Sequence, residues 1–259
     1  MAMRSTGNAT IAFGMVSIPI KVYTATDDSK KISFNLLHEK CKGRLKQQYI
    51  CETDDCVVSH DQMVKGYEFA KGMYVDFTAA EVKDMDEAAS HCIEISEFVA
   101  VEKVDPIYYD KAYFLASDEG GAKAFTLFTE ALKQSGMAGL ARYAVRGKQY
   151  LVMLRTVEGG LIMQQMLYAN QVRNIKDVSS DRVDTKPAEM KMALQLIKSL
   201  TVEKFDPTQY KDEVQARIQA AIDEKVKGGK ISMVVQNSRS PMIIDLAAAL
   251  KASLDATKK

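Results

Sequence analysis

The sequence predicts a mixed β plus α fold, in which a β-barrel core carries a basic insertion and is followed by a C-terminal helical arm. Residues 9–23 alternate apolar with small or polar side chains, as strands with one buried face do. Residues 139–166 repeat this alternation, with turn sequences between the strands. Beyond Asn174 the composition changes to helix formers, which favours an arm of helices.

These patterns divide the chain of 259 residues into four parts, a length that suits one large domain or two smaller ones. The parts are a barrel core at 1–175, a basic insertion within it at about 38–65, a helical arm at 176–229, and a linker with a final helix at 230–259.

The opening strand holds the clearest alternation in the chain. Apolar side chains occupy every second position in Ile11–Met15 and again in Ile18–Val22. The register breaks between these runs, close to Gly14 and Pro19, two residue types that regular central strands exclude. We therefore expect a single strand that bends or bulges as it turns a corner of the barrel.

Further strands are expected from the same alternation. They are predicted at Lys31–Leu37, at Gly66–Phe77 with a break at Lys71-Gly72, at Cys92–Val99 and at Ala112–Ala116. The 139–166 segment predicts three antiparallel strands, with turns around Gly147 and Gly159. We assign the barrel to the opening strand, residues 66–116 and this meander.

Capping residues mark two helices in the core. Thr78 and Glu81 form a capping box for a short helix through Glu87. A second helix is predicted from about Gly120 to Gln134, ending at Gly136. Its expected apolar face consists of Ala124, Leu127, Phe128, Ala131 and Leu132.

Three helices are predicted in the C-terminal part of the chain. They are Lys186–Leu200, Asp206 to about Lys227 with Pro207 at its first position, and Pro241 to about Ala256 after a cap at Ser240. In the second of these, an apolar seam repeats every four residues through Tyr210, Val214 and Ile218. Such a seam is either an internal packing face or a contact with a partner subunit, and we expect a dimer contact here.

The chain is nearly neutral, but its cations are unevenly distributed. Its net charge is +1, and apolar and charged residues make up 47% and 27% of it, as in soluble globular proteins. Two stretches lack acidic residues: one carries Lys40, Lys42, Arg44 and Lys46, and the other carries Lys133, Arg142, Arg146, Lys148 and Arg155. These basic islands are either solvated faces or surfaces that contact phosphates. We find no signal peptide and no apolar run that could span a bilayer, and therefore expect a cytoplasmic protein, which in bacteria includes the nucleoid.

Three of the four cysteines lie close to a histidine in the first basic island. His38 and Cys41 form one pair, and Cys51 and Cys56 form a second. Zinc binds four such ligands in a tetrahedron, commonly as two pairs on two turns, so one structural zinc per chain is expected. The alternative is a set of unrelated cysteines in a loop; a disulfide is disfavoured in the cytoplasm.

The sequence offers no catalytic constellation. A nuclease would show clustered carboxylates, and a hydrolase would show a nucleophile beside an orienting base. The segment Gly120-Gly121-Ala122-Lys123 departs from the pattern of a phosphate-binding loop, so a helix start is the simpler interpretation. We therefore expect a protein that binds and does not catalyse.

Five phrases in the chain resemble the prokaryotic Ku family. The first is Ile-Ala-Phe-Gly-Met-Val-Ser-Ile-Pro-Ile-Lys-Val-Tyr at residues 11–23. The others are Val-Lys-Gly-Tyr-Glu at 64–68, Glu-Phe-Val at 97–99, Val-Asp-Pro-Ile-Tyr-Tyr at 104–109, and Gly-Ala-Lys-Ala at 121–124 leading to Ala-Arg-Tyr at 141–143. The resemblance extends to about residue 250.

This resemblance implies a homodimer whose two barrels close a ring around duplex DNA, with the insertion as a bridge over the duplex. A closed ring has to thread onto DNA from an end, and its partners are double-stranded DNA ends and the multifunctional DNA-repair ligase of non-homologous end joining. We expect the DNA contacts at Lys40, Lys42, Arg44, Lys46, Lys65, Arg142, Arg146 and Lys148. The Cys51-x4-Cys56 spacing departs from the C-x2-C spacing of some relatives. Two other classes remain open: a zinc-stabilised nucleic-acid or protein interaction module without end specificity, and a metal-dependent nuclease.

Overall fold

The computed structural model of the chain describes residues 3–27, 29, 31–86, 91–145, 147–178, 184–228 and 246–257. Two compact units are formed, one from Met1–Lys30 with Asn35–Ile175 and the other from Lys31–Phe34 with Lys176–Lys259. Within the described ranges, no helix has the length and apolar character that crossing a membrane requires.

The first unit contains all the described strands and two of the described helices. The strands are β1 Gly7–Phe13, β2 Val16–Thr24, β3 Tyr49–Ile50, β4 Val57–Val58, β5 Lys65–Ala70, β6 Met73–Phe77, β7 Cys92–Ala100, β8 Tyr109–Ser117, β9 Met137–Val145, β10 Lys148–Val157 and β11 Gly160–Met166. The helices of this unit are α1 Ala79–Asp86 and α2 Ala122–Ser135.

Seven strands close a barrel in the order β1-β2-β8-β11-β10-β9-β7. All neighbours are antiparallel except β1 and β7, whose parallel pairing closes the ring. The interior is filled by alternate side chains, among them Ile11, Ile20, Ile93, Val152 and Leu154. The predicted barrel fold is confirmed, and the 139–166 meander supplies three of its strands. Residues 66–77 were wrongly assigned to the barrel: they form the separate β5–β6 hairpin, because alternation predicts strands and not the sheet that they join.

The opening segment forms a hairpin and not the single bent strand that we predicted. Phe13 pairs with Val16 across a turn at Gly14 and Met15, so β1 and β2 run antiparallel. Gly14 has a φ of 59°, a left-handed conformation that costs glycine no steric clash. The prediction was wrong because a register break with glycine marks a tight turn as well as a bulge.

Helix α2 covers the end of the barrel at which β1 ends. Phe128 and Leu132 are buried in the barrel core, and the ring centroid of Phe128 lies 5.4 Å from that of Phe13. The predicted termination at Gly136 is confirmed, since this residue is left-handed at the C-cap. Leu127 was wrongly placed on the apolar face: it is 71% exposed, because the helix is rotated so that Phe128 and Leu132 point inward.

The start of α2 fits tightly against β2. A Cβ atom on Gly121 would lie 2.7 Å from the Pro19 carbonyl oxygen, so only glycine fits there without displacement. Asp118, just before the helix, forms an ion pair of 3.0 Å with Lys21 on β2. The hydrogen bond from Lys21, followed by one from the Glu119 backbone, lowers the pKa of Asp118.

A second apolar cluster lies on the outer face of the barrel. Met153 on β10 and Ala138 on β9 are buried there, packed against residues of the 101–109 segment. Asp105 caps a short turn in that segment by accepting a hydrogen bond of 3.0 Å from the Ile107 backbone N–H. Strands β9 and β10 therefore contact the barrel core on one face and this outer cluster on the other.

Between β2 and β7 the chain leaves the barrel in small separate sheets. Strands β3 and β4 form one hairpin, and β5 and β6 form another. The name "insertion" is used for residues 35–77, which contain both hairpins.

Two predictions beside the insertion have opposite outcomes. The predicted capping box of Thr78 and Glu81 is confirmed in α1, with hydrogen bonds of 2.8 and 3.2 Å. The strand predicted at Lys31–Leu37 is wrong: only Leu37 makes a bridge, to Arg44.

The second unit contains α3 Pro187–Leu200, α4 Glu213–Val226 and α5 Leu246–Thr257, and α3 packs against α5. The helix predicted from Asp206 is interrupted. Asp206 and Pro207 begin only a short 3-10 turn, and Asp212 caps α4 through the backbone N–H groups of Val214 and Gln215. The predicted start of the last helix, Ser240 and Pro241, lies outside the described residues.

Candidate nucleic-acid interface

The first basic island forms a small hairpin at the start of the insertion. The His38 backbone N–H donates to the Gly43 carbonyl over 2.9 Å, and the Lys42 N–H donates to the His38 carbonyl over 2.8 Å. Lys42 adopts a left-handed φ of 55°, which lets the chain reverse within a few residues. The turn places Lys40 and Lys42 at its tip, while Arg44 lies opposite Leu37 at its base.

The predicted phosphate contacts of the insertion are exposed. This holds for Lys40, Lys42, Arg44, Lys46 and Lys65. No carboxylate of the described ranges lies within 4.0 Å of any of these five cations. The hairpin therefore brings Lys40, Lys42 and Arg44 together as uncompensated charge, followed by Lys46, whereas Lys65 begins β5 in a separate hairpin. Such cations suit contact with phosphates, which carries no information on base sequence.

The insertion exposes many large apolar side chains. In the β5–β6 hairpin, Tyr67 pairs with Val75, and Tyr67 and Phe69 are 66% and 58% exposed. No residue from 35 to 77 is buried, and the structure describes all of them. An exposed apolar surface of this extent commonly marks a binding site for another molecule. Its exposed members include Leu36, Leu45, Tyr49, Ile50, Val57, Val64, Met73 and Tyr74.

The predicted zinc ligands form two separate turns. His38 Nδ1 lies 3.1 Å from Cys41 Sγ on the first turn. On the second, the Cys51 N–H donates to the Cys56 carbonyl over 2.9 Å. Within the described ranges, no three His, Cys, Asp or Glu side chains are gathered closely enough to hold a metal. The donor set suits zinc, and each pair occupies a tight turn, but the four ligands are not assembled into one centre.

The second basic island does not lie on a single face of the barrel. Arg142 is on the outer face of β9, directly across from Glu94 on β7. Lys148 has the opposite orientation, because it lies on the same side of β10 as the inward-facing Tyr150. Arg146 lies outside the described residues. Strand alternation therefore places Arg142 and Lys148 on opposite faces of the barrel wall.

Arg155 departs furthest from the expected phosphate-facing island. It is half-buried, and its Nε atom is buried without a hydrogen-bond partner in the part of the chain that the structure describes. It shares the outer face of β10 with the buried Met153. Arg155 therefore differs from Lys148 of the same island, which is exposed.

The predicted dimer contacts of the arm are accessible but not collinear. Tyr210 is 71% exposed and lies before α4, where its ring centroid is 5.5 Å from that of Phe205. Val214 and Ile218 share one face of α4. The helix break at Tyr210–Asp212 therefore removes Tyr210 from the seam. Met190, Leu194 and Ile197 form a comparable exposed apolar stripe on α3.

The interface contains residues that sequence reasoning missed. Glu94 is one, because its pairing with Arg142 joins strands far apart in the sequence. The exposed apolar face of β5 and β6 is another, since alternation predicts strands without showing whether their faces are covered. A charge count along the chain could have found neither.

Comparisons with known proteins identify close relatives. A family model described as "Ku70/Ku80 beta-barrel domain" matches residues 12–193. The chain is 44% identical over 260 residues to the "Non-homologous end joining protein Ku" of Paraburkholderia phymatum, covering 98% of this chain and 83% of that protein. It is 38% identical over 260 residues to the protein of the same name from Heliobacterium modesticaldum, covering 100% and 94%. The Bacillus subtilis protein of that name is 35% identical over 262 residues, with coverage of 99% and 83%.

Proposed function

Because the chain belongs to the Ku family, we propose that it binds the ends of double-stranded DNA without regard to sequence, as a ring-shaped homodimer. In this role it protects and bridges double-strand breaks and recruits the multifunctional repair ligase in non-homologous end joining. The observation that carries the proposal is the similarity over nearly the whole chain to relatives named for this process. The protein acts as a scaffold and has no catalytic step of its own.

The insertion supplies the main DNA-contacting surface in this proposal. Lys40, Lys42 and Arg44 lie on one small hairpin, Lys46 follows it closely, and all four are exposed and uncompensated. Cations that neutralise phosphates release counterions, so binding weakens as salt increases. Lys65, Arg142, Arg146 and Lys148 are proposed as further contacts.

The homodimer explains the exposed apolar surface. The insertion has no buried side chain, so it lacks the core that a segment of its size needs to be stable alone. A second copy of the chain would cover the apolar faces of β5 and β6. The arm would add contacts through Tyr210, Val214 and Ile218. A ring closed in this way admits DNA only by threading from an end.

We also propose one structural zinc per chain, held by His38, Cys41, Cys51 and Cys56. Zinc supplies a four-ligand centre that orders a segment lacking a hydrophobic core. The two turns that carry the ligands would move together when the metal binds. The rigid hairpin would then present Lys40 and Lys42 in a fixed orientation.

Binding to open and closed DNA tests the ring. One duplex is prepared as a linear fragment and as a closed relaxed circle, and a gel-shift assay measures binding to each at ~0.15 M salt. We expect retention of the linear form alone, with more protein loaded as the fragment lengthens. Equal binding to the circle would overturn the ring and support an interaction module without end specificity, and magnesium-dependent degradation would support a nuclease.

A charge variant tests the proposed surface in the same assay. Changing Lys40, Lys42, Arg44 and Lys46 together to Gln removes four cations. In the homodimer the variant lacks eight cations, so if each contacts a phosphate, the slope of log affinity against log salt falls in magnitude by about 7. The matched control changes four exposed lysines of the second unit to Gln: Lys191, Lys198, Lys211 and Lys227. An unchanged slope in the first variant would remove the hairpin from the interface.

Metal content tests the zinc site. Purified protein is analysed for zinc per chain by mass spectrometry, and we expect about one. The Cys41→Ser and Cys51→Ser variants should lose the metal. Cys92→Ser should retain the metal, because Cys92 lies on β7 and is not one of the four proposed ligands. Burial, and next the nearby charge of Glu94, raises the pKa of the Cys92 thiol. A wild-type protein without zinc would show that these cysteines have no metal-binding role.

A further inference from the structure

The barrel has one covered end and one open end. Helix α2 packs over the first, whereas the opposite mouth contains a cavity of about 890 Å³ lined by residues of the barrel strands. This volume is within the range of roughly 300–1,000 Å³ that small-molecule sites occupy, and the mouths of barrels are among their usual positions. No sequence motif marks this region.

Tyrosine rings line the inner part of the cavity. Tyr143 on β9 pairs directly with Tyr150 on β10, and Tyr113 on β8 pairs with Met163 on β11. All three rings are half-buried and packed against the barrel core, so the strands hold them in place. A set of fixed aromatic faces suits a flat aromatic ligand, which can stack on them whatever its substituents.

The rim of the cavity is cationic and polar. Lys111 is exposed and lies two residues before Tyr113 on the same side of β8, and His91 precedes β7 at the same mouth. Gln165 donates a hydrogen bond of 3.0 Å to Asp110 through its Nε2, which leaves its carbonyl oxygen as an acceptor toward a ligand. Among the described residues that line the cavity, none is acidic.

We propose that this mouth binds a single nucleotide. The base would stack on Tyr143 and Tyr150, and the phosphate would lie at the rim against Lys111, whose strand β8 is across the mouth from His91. Aromatic faces inside and a cation outside match the two parts of a nucleotide, whereas a purely apolar ligand would leave the rim unused. Free nucleotides and the unpaired terminal nucleotide of a DNA strand share this chemistry. The proposal goes beyond the proposed function, because a ring needs no such site.

Direct binding to the unaltered full-length chain is the first test. Saturation-transfer NMR with dAMP should show transfer to the base protons, and calorimetry should give a saturable isotherm. A second arm uses duplexes that differ only in a blunt end or a one-nucleotide 5′ overhang, and preference for the overhang assigns the site to strand ends. Binding of free dAMP without this preference assigns it to free nucleotides. Absence of both signals would overturn the proposal.

Single-tryptophan variants locate the site, since the chain contains no tryptophan. Val145→Trp places a fluorophore in the mouth, where a stacked base should quench it. Val157→Trp is the matched control at the other end of the same sheet and should not respond. Quenching of both or of neither reporter by dAMP would contradict binding in the mouth.

A charge substitution identifies the phosphate contact. Lys111→Gln should weaken dAMP binding roughly tenfold, as the loss of one charge-assisted hydrogen bond implies, and should leave adenosine binding unchanged. Lys103→Gln, an exposed lysine outside the cavity, is the control. An equal loss for dAMP and adenosine would overturn the assignment of Lys111. Retention of linear duplex is measured alongside, so that failure of the nucleotide site is distinguished from failure of the proposed function.

Discussion

The barrel and the insertion are built from strands with the same alternating pattern, but only the barrel has an interior. Ile11 on β1 is fully buried, whereas Tyr67 on β5 is exposed although it occupies an equivalent place in its own hairpin. The difference lies in what covers the apolar face. The other barrel strands and α2 enclose one side of the β1–β2 hairpin, whereas no other described element of the first unit covers β5–β6.

This contrast separates stability from binding. Burial of apolar area is the main source of folding free energy, so the barrel should supply nearly all of the stability of the first unit. The insertion supplies exposed cations and uncovered apolar faces, which are the features of a binding surface. Substitutions of the same chemical kind should therefore have different effects in the two regions.

The largest difference is expected for a matched pair of leucines. Leu154 in the barrel is 0% exposed, and Leu45 in the insertion is 56% exposed. Leu154→Ala should lower the free energy of unfolding by about 2–5 kcal/mol, because it leaves a cavity in the core. Leu45→Ala should change it by less than about 0.5 kcal/mol. Denaturant unfolding measures both at one protein concentration low enough to keep the chain monomeric.

Dilution extends this test to the homodimer. If a second chain covers Leu45, Leu45→Ala should be more destabilising at high protein concentration, where the wild type is dimeric, and its effect should disappear as dilution dissociates the dimer. Equal destabilisation by the two substitutions at every concentration would show that the insertion has a core of its own, which would end the contrast between the regions.

A smaller effect is expected where α2 meets the barrel. Gly121→Ala places a methyl group against the Pro19 carbonyl and should lower the free energy of unfolding by about 1–3 kcal/mol, as overpacking does. Gly7→Ala is the control, because a Cβ there meets nothing within 4 Å. Thermal unfolding of both variants measures the difference. Equal midpoints would mean that α2 shifts freely on the barrel.

Removing charge from the insertion should affect folding still less. The variant with Gln in place of Lys40, Lys42, Arg44 and Lys46 should unfold within about 0.5 kcal/mol of the wild type, since these side chains are exposed. Its weaker DNA binding would then arise from the interface and not from unfolding. A large loss of stability, measured by denaturant unfolding, would mean instead that these cations support the fold.

The smallest effect concerns the ion pair beside α2. The pKa of Asp118 is lowered below its ordinary value of 3.8, first by the hydrogen bond from Lys21. The stabilisation is therefore complete above that ordinary value and is lost as the pH falls through the lower folded value. Compared with Asp118→Asn, the wild type should lose its advantage only below about pH 4. An advantage that disappears nearer pH 7 would contradict this assignment.

The sequence predicted those features that depend on neighbouring residues. The capping box of Thr78 and Glu81 and the termination of α2 at Gly136 each need only one turn of chain, and both were correct. The break between Asp206 and Asp212 was missed, because both aspartates are good N-caps and only the backbone path decides between them. The opening hairpin was missed because a glycine at a register break marks either a bulge or a tight turn, and only the backbone path decides between them.

The candidate interface was less predictable than the fold. The first basic island was recognisable because its cations lie within one short hairpin. The second was misjudged, because strand pairing sets Glu94 beside Arg142 and turns Lys148 to the other face. The tyrosines of the barrel mouth come from β8, β9 and β10, so only closure of the barrel brings them together.

The parallel pairing of β1 with β7 has a consequence for the protein during its synthesis. The first hairpin leaves the ribosome early, but its partners β7 and β8 emerge only after the whole insertion. At bacterial elongation rates of about 5–20 residues per second, the hairpin waits roughly 5 to 20 s for them. During that interval Ile11 and Ile20, which the finished barrel buries completely, face water. The nascent chain should therefore be most prone to aggregate, and most in need of a chaperone, before β8 has emerged as far as Ser117.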